Sequence, residues 1–381
     1  MRIGIVTHNY PLYKGQSKDA GNFIYHFAHE LSKKVEKVFV FCPNYAGKKE
    51  DYQDIPVTWF NWWGGNQKLG NSKWWNPFDL LLTANLLFTG RREILKFIKE
   101  NQIDTVLSFW NIPGGVFAMS AKDKLGTPYV TWALGSDIYV YGKLPLLKML
   151  VVSVLQNTNK AFGNSLDICS RIKNISKVNA KFLPTANSLK LAASKKINLP
   201  QDKFNFLFLG RLESVKGPDI LIEAVKILSS KRSDFTVSMI GGGSMFDQLK
   251  YKLRDENLKV VSLLGYIEDQ DLVNGYLLAC DALIIPSRSE SFPLVITEAL
   301  QANLPIVGSS VGDMPTFIPE NKLGYIFNRE DPLQLSEMMS KMIENGKKIK
   351  KQNAKKIKVL VKDFQLNRIV DNFLKEIKSL N

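Results

Sequence analysis

The sequence predicts a two-domain α/β protein in which each domain has a doubly wound parallel sheet. Three observations carry this prediction. The chain has 381 residues, which indicates two domains or slightly more at about 150 residues per domain. Short β-branched or aromatic runs alternate with longer helical patterns throughout the chain, the order expected of such sheets. A polar, basic stretch at residues 187–203 then separates two similar series.

The predicted strands are short apolar runs of the kind buried on both faces of a parallel sheet. In the first half they are Ile3–Thr7, Val38–Phe41, Thr105–Phe109, Tyr129–Ala133 and Lys181–Leu183. In the second half they are Asn205–Leu209, Thr236–Ile240, Lys259–Leu264, Ala282–Ile285 and Pro305–Val307. Pro218–Leu228 has helical apolar spacing with proline in its first turn, which favours a helix between the first two strands of the second series.

We therefore expect two Rossmann-like domains that face a cleft, because ligands of open α/β folds bind in such clefts. The predicted boundaries are residues 1–190 for the first domain and 191–360 for the second. Residues 361–381 contain a last amphipathic helix, roughly Phe364 to Leu380. It could pack on either domain, and the first is our expectation.

Charge and tryptophan are unevenly distributed. The net charge is +15, and residues 1–190 carry 24 basic and 13 acidic side chains, against 27 and 23 in residues 191–381. All seven tryptophans lie in the first half, at positions 59, 62, 63, 74, 75, 110 and 132. This imbalance predicts that the first half faces something anionic: a phosphorylated ligand, a lipid headgroup or a nucleic acid.

Several protein classes are disfavoured. The N-terminal MRIGIVTHNYP lacks the pattern of a signal peptide, and the longest apolar stretch, Leu144 to Leu155, is too short to cross a bilayer. Three widely spaced cysteines, Cys42, Cys169 and Cys280, argue against a disulfide framework or a zinc cluster. We expect a cytoplasmic protein, one that could lie at the inner face of the plasma membrane.

The second domain opens with two cations at the end of a predicted strand, in the segment FLGRLESVKGPDIL. Arg211 and Lys216 would emerge at the carboxyl edge of the sheet, where they could bind a diphosphate. The alternative is two solvated surface charges. The next strand ends in the glycines of MIGGGSMFDQL, which would allow close approach of a phosphate or simply make a tight turn.

A pair of glutamates marks the segment IIPSRSESFPLVITEAL. Glu290 should lie just before a helix that Pro293 begins, and Glu298 one to two turns inside it. The free N–H groups at Leu294 and Val295 would stabilise negative charge on a leaving phosphate. Alternatively, Glu290 only caps the helix and Glu298 is solvated.

Together these segments resemble a known family. The order GRL…KG, IGGGS, LGYI, ACDALIIPS, SESFPLVITEAL and GYIFNREDP is similar to the donor domain of the family-4 retaining glycosyltransferases, the glycosyltransferase group 1 enzymes of GT-B fold. The resemblance covers most of residues 204–332. The first domain is similar more loosely, through MRIGIVTHNYP, HFAHEL and WALGSDIYVYG.

The resemblance implies roles for particular residues. Arg211 and Lys216 would hold the donor diphosphate, Glu290 would contact the transferred sugar, and these three are the predicted catalytic residues. Glu298 would bind the ribose hydroxyls. The remaining donor contacts would come from Ile267 against the base and from the backbone of Phe292, Leu294 and Val295.

In the first domain, four residues are candidates for the cleft. Gly15 or Gly21 could approach the phosphates or the sugar, and Asp137 belongs to WALGSD, the counterpart of the family's H-G-x-D segment. Leu134 replaces the histidine of that segment, so His8, just past the first strand, could face the cleft instead. The alternative for His8 is ordinary packing or surface exposure.

A metal is not expected. Asp269 and Asp271 form a D-x-D in YIEDQDL, but they lie at a predicted helix start, where acidic residues act as caps. Arg211 and Lys216 could neutralise a diphosphate without a metal. We therefore expect no cofactor besides the nucleotide-sugar substrate.

The stretch Trp59–Trp75 combines indoles with Lys68 and Lys73. Tryptophan favours membrane interfaces and stacks on sugars, so this stretch could meet an anionic membrane or a lipid-linked acceptor. It could equally pack over the protein's own sheet.

The leading hypothesis is a retaining, metal-independent glycosyltransferase of hexosyltransferase type. It would move a sugar from a nucleotide-diphosphate donor to a hydroxyl of a glycan or lipid-linked acceptor. The alternatives are a sugar-nucleotide epimerase of related fold and a non-catalytic binder of nucleotide sugars or glycans. A nucleic-acid partner is disfavoured, because the Lys-rich residues 347–358 have helical periodicity and no nucleic-acid-binding signature is present.

Overall fold

The computed structural model divides the chain into two compact units. Unit 1 consists of residues 1–185 and 366–381, and unit 2 of residues 186–365. The structure describes residues 1–12, 21–45, 49, 55–65, 76–186, 189, 191 and 195–380, with only the backbone of Ser379. In the described part of each unit the paired strands are all parallel, as the alternation of strands and helices predicts.

The sheet of unit 1 has the order β3-β2-β1-β4-β5-β6-β7. Its strands are β1 (Arg2–Val6), β2 (Lys37–Pro43), β3 (Val57–Phe60), β4 (Thr105–Phe109), β5 (Tyr129–Ala133), β6 (Lys160–Gly163) and β7 (Lys181–Phe182). The chain moves outward from β1 to β3 and then crosses to β4 on the other side of β1. The carboxyl ends of β1 and β4 therefore form the switch point, where open sheets bind ligands.

The helices of unit 1 cover both faces of this sheet. They are α1 (Asn22–Ser32), α2 (Pro77–Asn101), α3 (Val116–Leu125), α4 (Ser136–Tyr139), α5 (Pro145–Asn157), α6 (Leu166–Ser176) and α13 (Leu366–Ile377). Helices α2, α3, α5 and α6 contribute to one apolar core cluster. Helix α1 packs with α13 through Phe27 and Phe373, whose ring centroids lie 5.5 Å apart.

The C-terminal helix α13 belongs to unit 1. Its apolar side includes the fully buried Phe373, and its polar side carries Glu376, which forms ion pairs with Lys160 and Lys181. Ion pairs at a partly exposed surface add little stability, so burial of the apolar side is the main contribution that holds this helix.

The sheet of unit 2 has the order β10-β9-β8-β11-β12-β13. Its strands are β8 (Phe204–Leu209), β9 (Phe235–Ile240), β10 (Val261–Gly265), β11 (Ala282–Ile285), β12 (Ile306–Ser309) and β13 (Gly324–Phe327). The helices are α7 (Pro218–Ser229), α8 (Phe246–Asp255), α9 (Gln270–Ala279), α10 (Leu294–Gln301), α11 (Met314–Glu320) and α12 (Pro332–Asp363). The switch point lies between β8 and β11.

Each predicted strand overlaps an observed one, and the structure adds β3, β6 and β13. These three are only four residues long. Strand β3 includes Trp59, β6 follows directly after a helix, and β13 begins at Gly324. A run this short, with glycine or tryptophan within it, is hard to separate from a loop by its residue pattern.

Candidate functional site

The candidate site of unit 2 lies at the carboxyl ends of β8 and β11. The loop after β8 contains Arg211 and Lys216, and the loop after β11 contains Glu290. Lys216 Nζ forms an ion pair with Glu290 Oε1, and the Ser287 hydroxyl donates to the same carboxylate oxygen at 2.9 Å. The structure therefore brings together two of the three predicted catalytic residues.

Both members of this pair are largely shielded from solvent. The Lys216 side chain is 25% exposed and that of Glu290 is 11% exposed. An ion pair with little exposure is screened less by salt than a surface pair, and removing one partner leaves the other as an uncompensated charge. Arg211, by contrast, is exposed at the end of β8, where its guanidinium can meet a ligand.

Glycines allow the loops of this site to approach closely. Gly217 has a φ of +64°, and a Cβ there would lie 2.0 Å from the Pro286 carbonyl oxygen. Gly241 has a φ of +150°, and its Cβ would lie 1.8 Å from the Gly210 oxygen. The glycines of MIGGGSMFDQL thus have a packing role, because they let the loop after β9 lie against the loop after β8.

Further hydrogen bonds fix the loop after β8. The backbone N–H of Leu212 donates to the Gly242 oxygen at 2.8 Å. Ser244 donates to both carboxylate oxygens of Glu213, from its backbone N–H at 2.9 Å and its hydroxyl at 2.6 Å. These bonds from Ser244 lower the pKa of Glu213, with the charge of Arg211 as a smaller cause.

Arg288 joins the loops after β8 and β11, a role that the sequence did not predict. Its guanidinium donates to both carboxylate oxygens of Asp219 at 2.9 and 2.7 Å, to the Ser214 carbonyl oxygen at 2.7 Å and to Glu330 at 2.8 Å. Burial would raise the pKa of Asp219, but the hydrogen bonds from Arg288 outweigh it and the pKa is lowered. The available signals were an arginine two residues before Glu290 and an acid in the first turn of α7.

Helix α10 begins beside Glu290. Pro293 is its N-cap residue. The N–H groups of Leu294 and Val295 therefore lie in the first turn, where the helix has no carbonyl four residues earlier to accept from them, and they point out of the helix start. Glu298 is half-buried one turn further on. The side chain of Phe292 is buried and stacks on Phe364, with centroids 5.3 Å apart, so only its backbone is available for a ligand.

The neighbouring strand ends complete this edge of the sheet. A Cβ on Gly312, after β12, would lie 2.5 Å from the Glu290 carbonyl oxygen, so this loop lies against the Glu290 turn. Ile267 follows β10, two strands from β8. It shares the edge with Lys216 and Glu290, but it lies at the end of a different strand.

Asp269, the first acid of the D-x-D, is the N-cap of α9. Its side chain accepts hydrogen bonds from the N–H groups of Asp271 and Leu272 at 3.0 and 3.2 Å, and it pairs with Lys195 at 2.5 Å. These contacts correspond to the helix-cap interpretation.

In unit 1, His8 and Trp110 meet at the switch point between β1 and β4. Their ring centroids lie 4.4 Å apart, and Trp110 has a φ of +63°, which is uncommon for a residue with a side chain. His8 Nδ1 is buried without a hydrogen-bond partner among the described residues. Burial lowers the pKa of His8 to about 4, so its imidazole is neutral at pH 7.

Asp137 is fully buried. Its carboxylate accepts from the backbone N–H and side-chain amide of Asn111 at 3.0 and 2.7 Å, and from the N–H groups of Leu134 and Gly135 at 3.3 and 3.1 Å. It thus fastens the turn after β5 to the turn after β4. Burial is the main cause that raises the pKa of Asp137, against these hydrogen bonds.

Gly21 precedes α1, where a Cβ would lie 2.5 Å from the Asn9 carbonyl oxygen. Its close contact is therefore with the loop after β1. Gly15, the other glycine candidate, lies outside the described residues. Ligand contacts for His8, Gly15, Gly21 and Asp137 stay predictions.

The pKa of His8 predicts a pH-dependent stability of unit 1. The imidazole takes up a proton near pH 6.5 in the unfolded chain but only near pH 4 in the folded one. Its contribution to stability is therefore present above pH 6.5 and is lost as the pH falls towards 4, by about 3 kcal/mol in full. Urea unfolding followed by tryptophan fluorescence reports on unit 1, which contains every tryptophan.

A His8→Gln variant provides the control for this prediction. The free energy of unfolding of the native chain should approach or fall below that of the variant as the pH is lowered from 7 to 5. A constant difference over this range would contradict the assignment of a neutral imidazole whose Nδ1 is buried.

The comparisons with known proteins agree with this architecture. Residues 190–359 match the family model "Glycosyl transferases group 1", and residues 17–165 match "Glycosyl transferase 4-like". An uncharacterized glycosyltransferase of Methanocaldococcus jannaschii is 27% identical over 249 residues, which are 65% of this chain and 68% of that protein. A D-inositol 3-phosphate glycosyltransferase of Streptomyces avermitilis is 31% identical over 161 residues, 39% of this chain and only 34% of that protein.

Among solved structures, Anabaena HepE in complex with UDP has a TM-score of 0.75 at 15% identity, with 100% of both chains covered. At this identity the likeness shows the fold, which is GT-B. The two family models together span most of the chain, one in each half. We therefore identify residues 190–359 as a domain of the glycosyltransferase group 1 family and residues 17–165 as a glycosyl transferase 4-like domain.

Proposed function

We propose that this glycosyltransferase moves a sugar from a nucleotide-diphosphate donor to an acceptor hydroxyl with retention at the anomeric carbon. The observation that carries the proposal is the Lys216–Glu290 ion pair at the β8–β11 switch point, with Arg211 exposed at the same edge. A nucleoside diphosphate as donor leaving group is further supported by the UDP that HepE, a protein of the same fold, holds.

In the proposed reaction, the bond between the anomeric carbon and the diphosphate oxygen breaks as the acceptor oxygen bonds from the same face. The acceptor hydroxyl loses its proton to the leaving phosphate oxygen, the nearest base in a front-face geometry. Arg211, Lys216 and the N-terminus of α10 stabilise the negative charge that develops on the diphosphate. Glu290 would hold the sugar hydroxyls while Lys216 and Ser287 fix its carboxylate.

This chemistry as proposed needs neither a metal nor another cofactor. Arg211 and Lys216 can supply two positive charges against a diphosphate, one as a planar fork and one as a point charge. Glu298 would bind the ribose hydroxyls, and Ile267 would contact the base.

We assign the acceptor, a glycan or lipid-linked molecule, to unit 1, because the first half of the chain carries most of the excess positive charge. No helix in the described part of the chain is long and apolar enough to span a bilayer. We propose peripheral contact with an anionic membrane, at the inner face of the plasma membrane.

A panel of UDP-, GDP-, ADP- and CDP-sugars tests the donor assignment through thermal shift and nucleotide release. A ligand at 100 times its Kd should stabilise the protein by about 2.7 kcal/mol. Arg211→Ala should abolish the shift. Arg254→Ala, on α8 of the same unit, should leave it intact, since Arg254 stacks on Tyr251 at 5.5 Å.

Product analysis by proton NMR separates the mechanistic alternatives. Retention predicts that the new glycosidic bond has the anomeric configuration of the donor. An inverted product would contradict the front-face step, and interconversion of the sugar nucleotide without any acceptor would identify an epimerase instead.

A further inference from the structure

Helix α2 has a second apolar stripe that faces away from its core. Its buried side includes Leu82, Leu86 and Ile94. Phe78, Leu81 and Phe88, however, are between 62% and 71% exposed. They are separated by three and seven residues, so they lie on one side of the helix. Large exposed apolar groups in one patch mark interaction surfaces more often than scattered single residues do.

Trp63 extends this stripe from the segment after β3. Its side chain is 76% exposed, and its backbone N–H donates to Asn85 Oδ1 at 2.9 Å. Asn85 is four residues after Leu81 and three before Phe88, so it belongs to the same side of α2. The hydrogen bond therefore fixes the backbone of Trp63 beside the exposed stripe.

Helix α5 presents a similar pair of residues. Leu146 and Met149, one turn apart, are 80% and 70% exposed. Helices α2, α3 and α5 contribute to the same core cluster and so cover one face of the sheet. Helices α2 and α5 precede the parallel strands β4 and β6, so the N-terminal ends of both helices lie towards the carboxyl edge of the sheet.

The charges around these residues are almost entirely positive. Residues 138–159 contain no aspartate or glutamate, and Lys143 and Lys148 there are exposed. Asp79 is the one acid in residues 76–92, and it is buried. Arg91 is exposed, and the exposed Arg92 pairs with Glu93 at 2.9 Å. A second copy of this surface would bring like charges together, whereas anionic lipid headgroups would complement them.

We propose that Trp63, Phe78, Leu81, Phe88, Leu146 and Met149 form a face, here named the α2/α5 face, by which unit 1 lies on an anionic bilayer. The apolar side chains enter the boundary between headgroups and acyl chains, and the neighbouring lysines and arginines lie at the phosphates. The inference rests on the proposed function. It deepens that function by naming the surface that meets a membrane-bound acceptor.

Vesicle flotation of the full chain tests this face. The native protein should float with vesicles of phosphatidylcholine and phosphatidylglycerol, and far less with phosphatidylcholine alone. We expect Leu81→Glu/Phe88→Glu and Leu146→Glu/Met149→Glu each to lower the bound fraction at least about tenfold, since each places two carboxylates at an anionic surface. Leu333→Glu/Val359→Glu, at exposed positions on α12 of unit 2, is the matched control and should float like the native protein.

Equal flotation of the α2/α5 variants and the native chain would overturn the proposal. If the same variants also convert a native dimer to monomer in analytical ultracentrifugation, the occupant of the face is a second copy.

Thermal shifts with the nucleotide-sugar panel, recorded on the same preparations, keep the two proposals apart. Unchanged shifts in the variants show that unit 2 is folded and binds donor. A chain that floats but binds no nucleotide sugar would contradict the proposed function and leave the α2/α5 face standing.

Discussion

Glu290→Gln is expected to lower the rate of sugar transfer about a hundred- to thousandfold, the usual effect of removing one electrostatic contact to a transition state. Glutamine keeps the size of the side chain and can still accept the hydrogen bond from Ser287, so the fold should survive. It removes the negative charge that pairs with Lys216. The measurement is kcat/KM with the donor found in the panel.

Lys216→Ala should have an effect of similar size and should also weaken donor binding. The variant removes a cation from the diphosphate and leaves the shielded carboxylate of Glu290 without its partner. The double variant should lose less than the product of the two single effects, because the two side chains act as a pair.

The pair Lys226–Glu256 in the same unit is the matched control. Lys226 Nζ and Glu256 Oε1 lie 3.0 Å apart. The pair joins α7 to the C-cap residue of α8. Lys226→Ala and Glu256→Gln should leave transfer unchanged. Equal activity of the Glu290→Gln variant and the native enzyme would contradict the assignment of the site.

Gly217→Ala should destabilise unit 2 by about 2–4 kcal/mol and reduce transfer as well. The added Cβ would lie 2.0 Å from the Pro286 carbonyl oxygen, at a φ of +64°. The substitution therefore combines left-handed strain with a backbone clash. Relief of the clash has to move the loop after β8 or the loop after β11, and with them Lys216 or Glu290.

Gly126→Ala separates the two causes. Gly126 has a φ of +74°, with no atom within 4 Å of the added Cβ, so only the strain of about 1 kcal/mol is expected. Urea unfolding followed by circular dichroism measures the whole chain, while tryptophan fluorescence follows unit 1 alone. If Gly217→Ala and Gly126→Ala lowered the free energy of unfolding equally, the contact with Pro286 would not constrain the loops.

The arrangement of the candidate site in unit 2 could be predicted in large part because its residues lie at strand ends, whereas their ligand contacts stay predictions. Arg211, Lys216 and Glu290 each follow a run that is recognisably a buried strand, and parallel strands bring their carboxyl ends to one edge. Pro293 likewise indicates the start of α10. These inferences need only periodicity and a few turn residues.

The missed features depend on contacts between distant residues. Arg288 contacts Asp219 across the β8–β11 switch point, and neither residue alone indicates the other. Asp137 was predicted as a cleft candidate from its segment alone, and the four hydrogen bonds that its carboxylate accepts from Asn111, Leu134 and Gly135 were not foreseen. A sequence pattern identifies the acid but not the groups that its carboxylate contacts.

The Trp59–Trp75 stretch was open to both interpretations, and the described residues divide between them. Trp62 packs against the core cluster of unit 1, while Trp63 is exposed. Trp74, Trp75, Lys68 and Lys73 lie outside the described residues. The exposed stripe of α2 could not be predicted, because an apolar residue in a helix pattern does not show which side the core covers.

Hydrogen–deuterium exchange with and without UDP-glucose, then with the other nucleotide sugars of the panel, tests the central claim most directly. The account predicts that the bound donor protects peptides that cover residues 209–218 and 286–300, and that Glu290→Gln reduces this protection. Protection confined to unit 1, or protection of other parts of unit 2 alone, would contradict a donor site at Lys216 and Glu290.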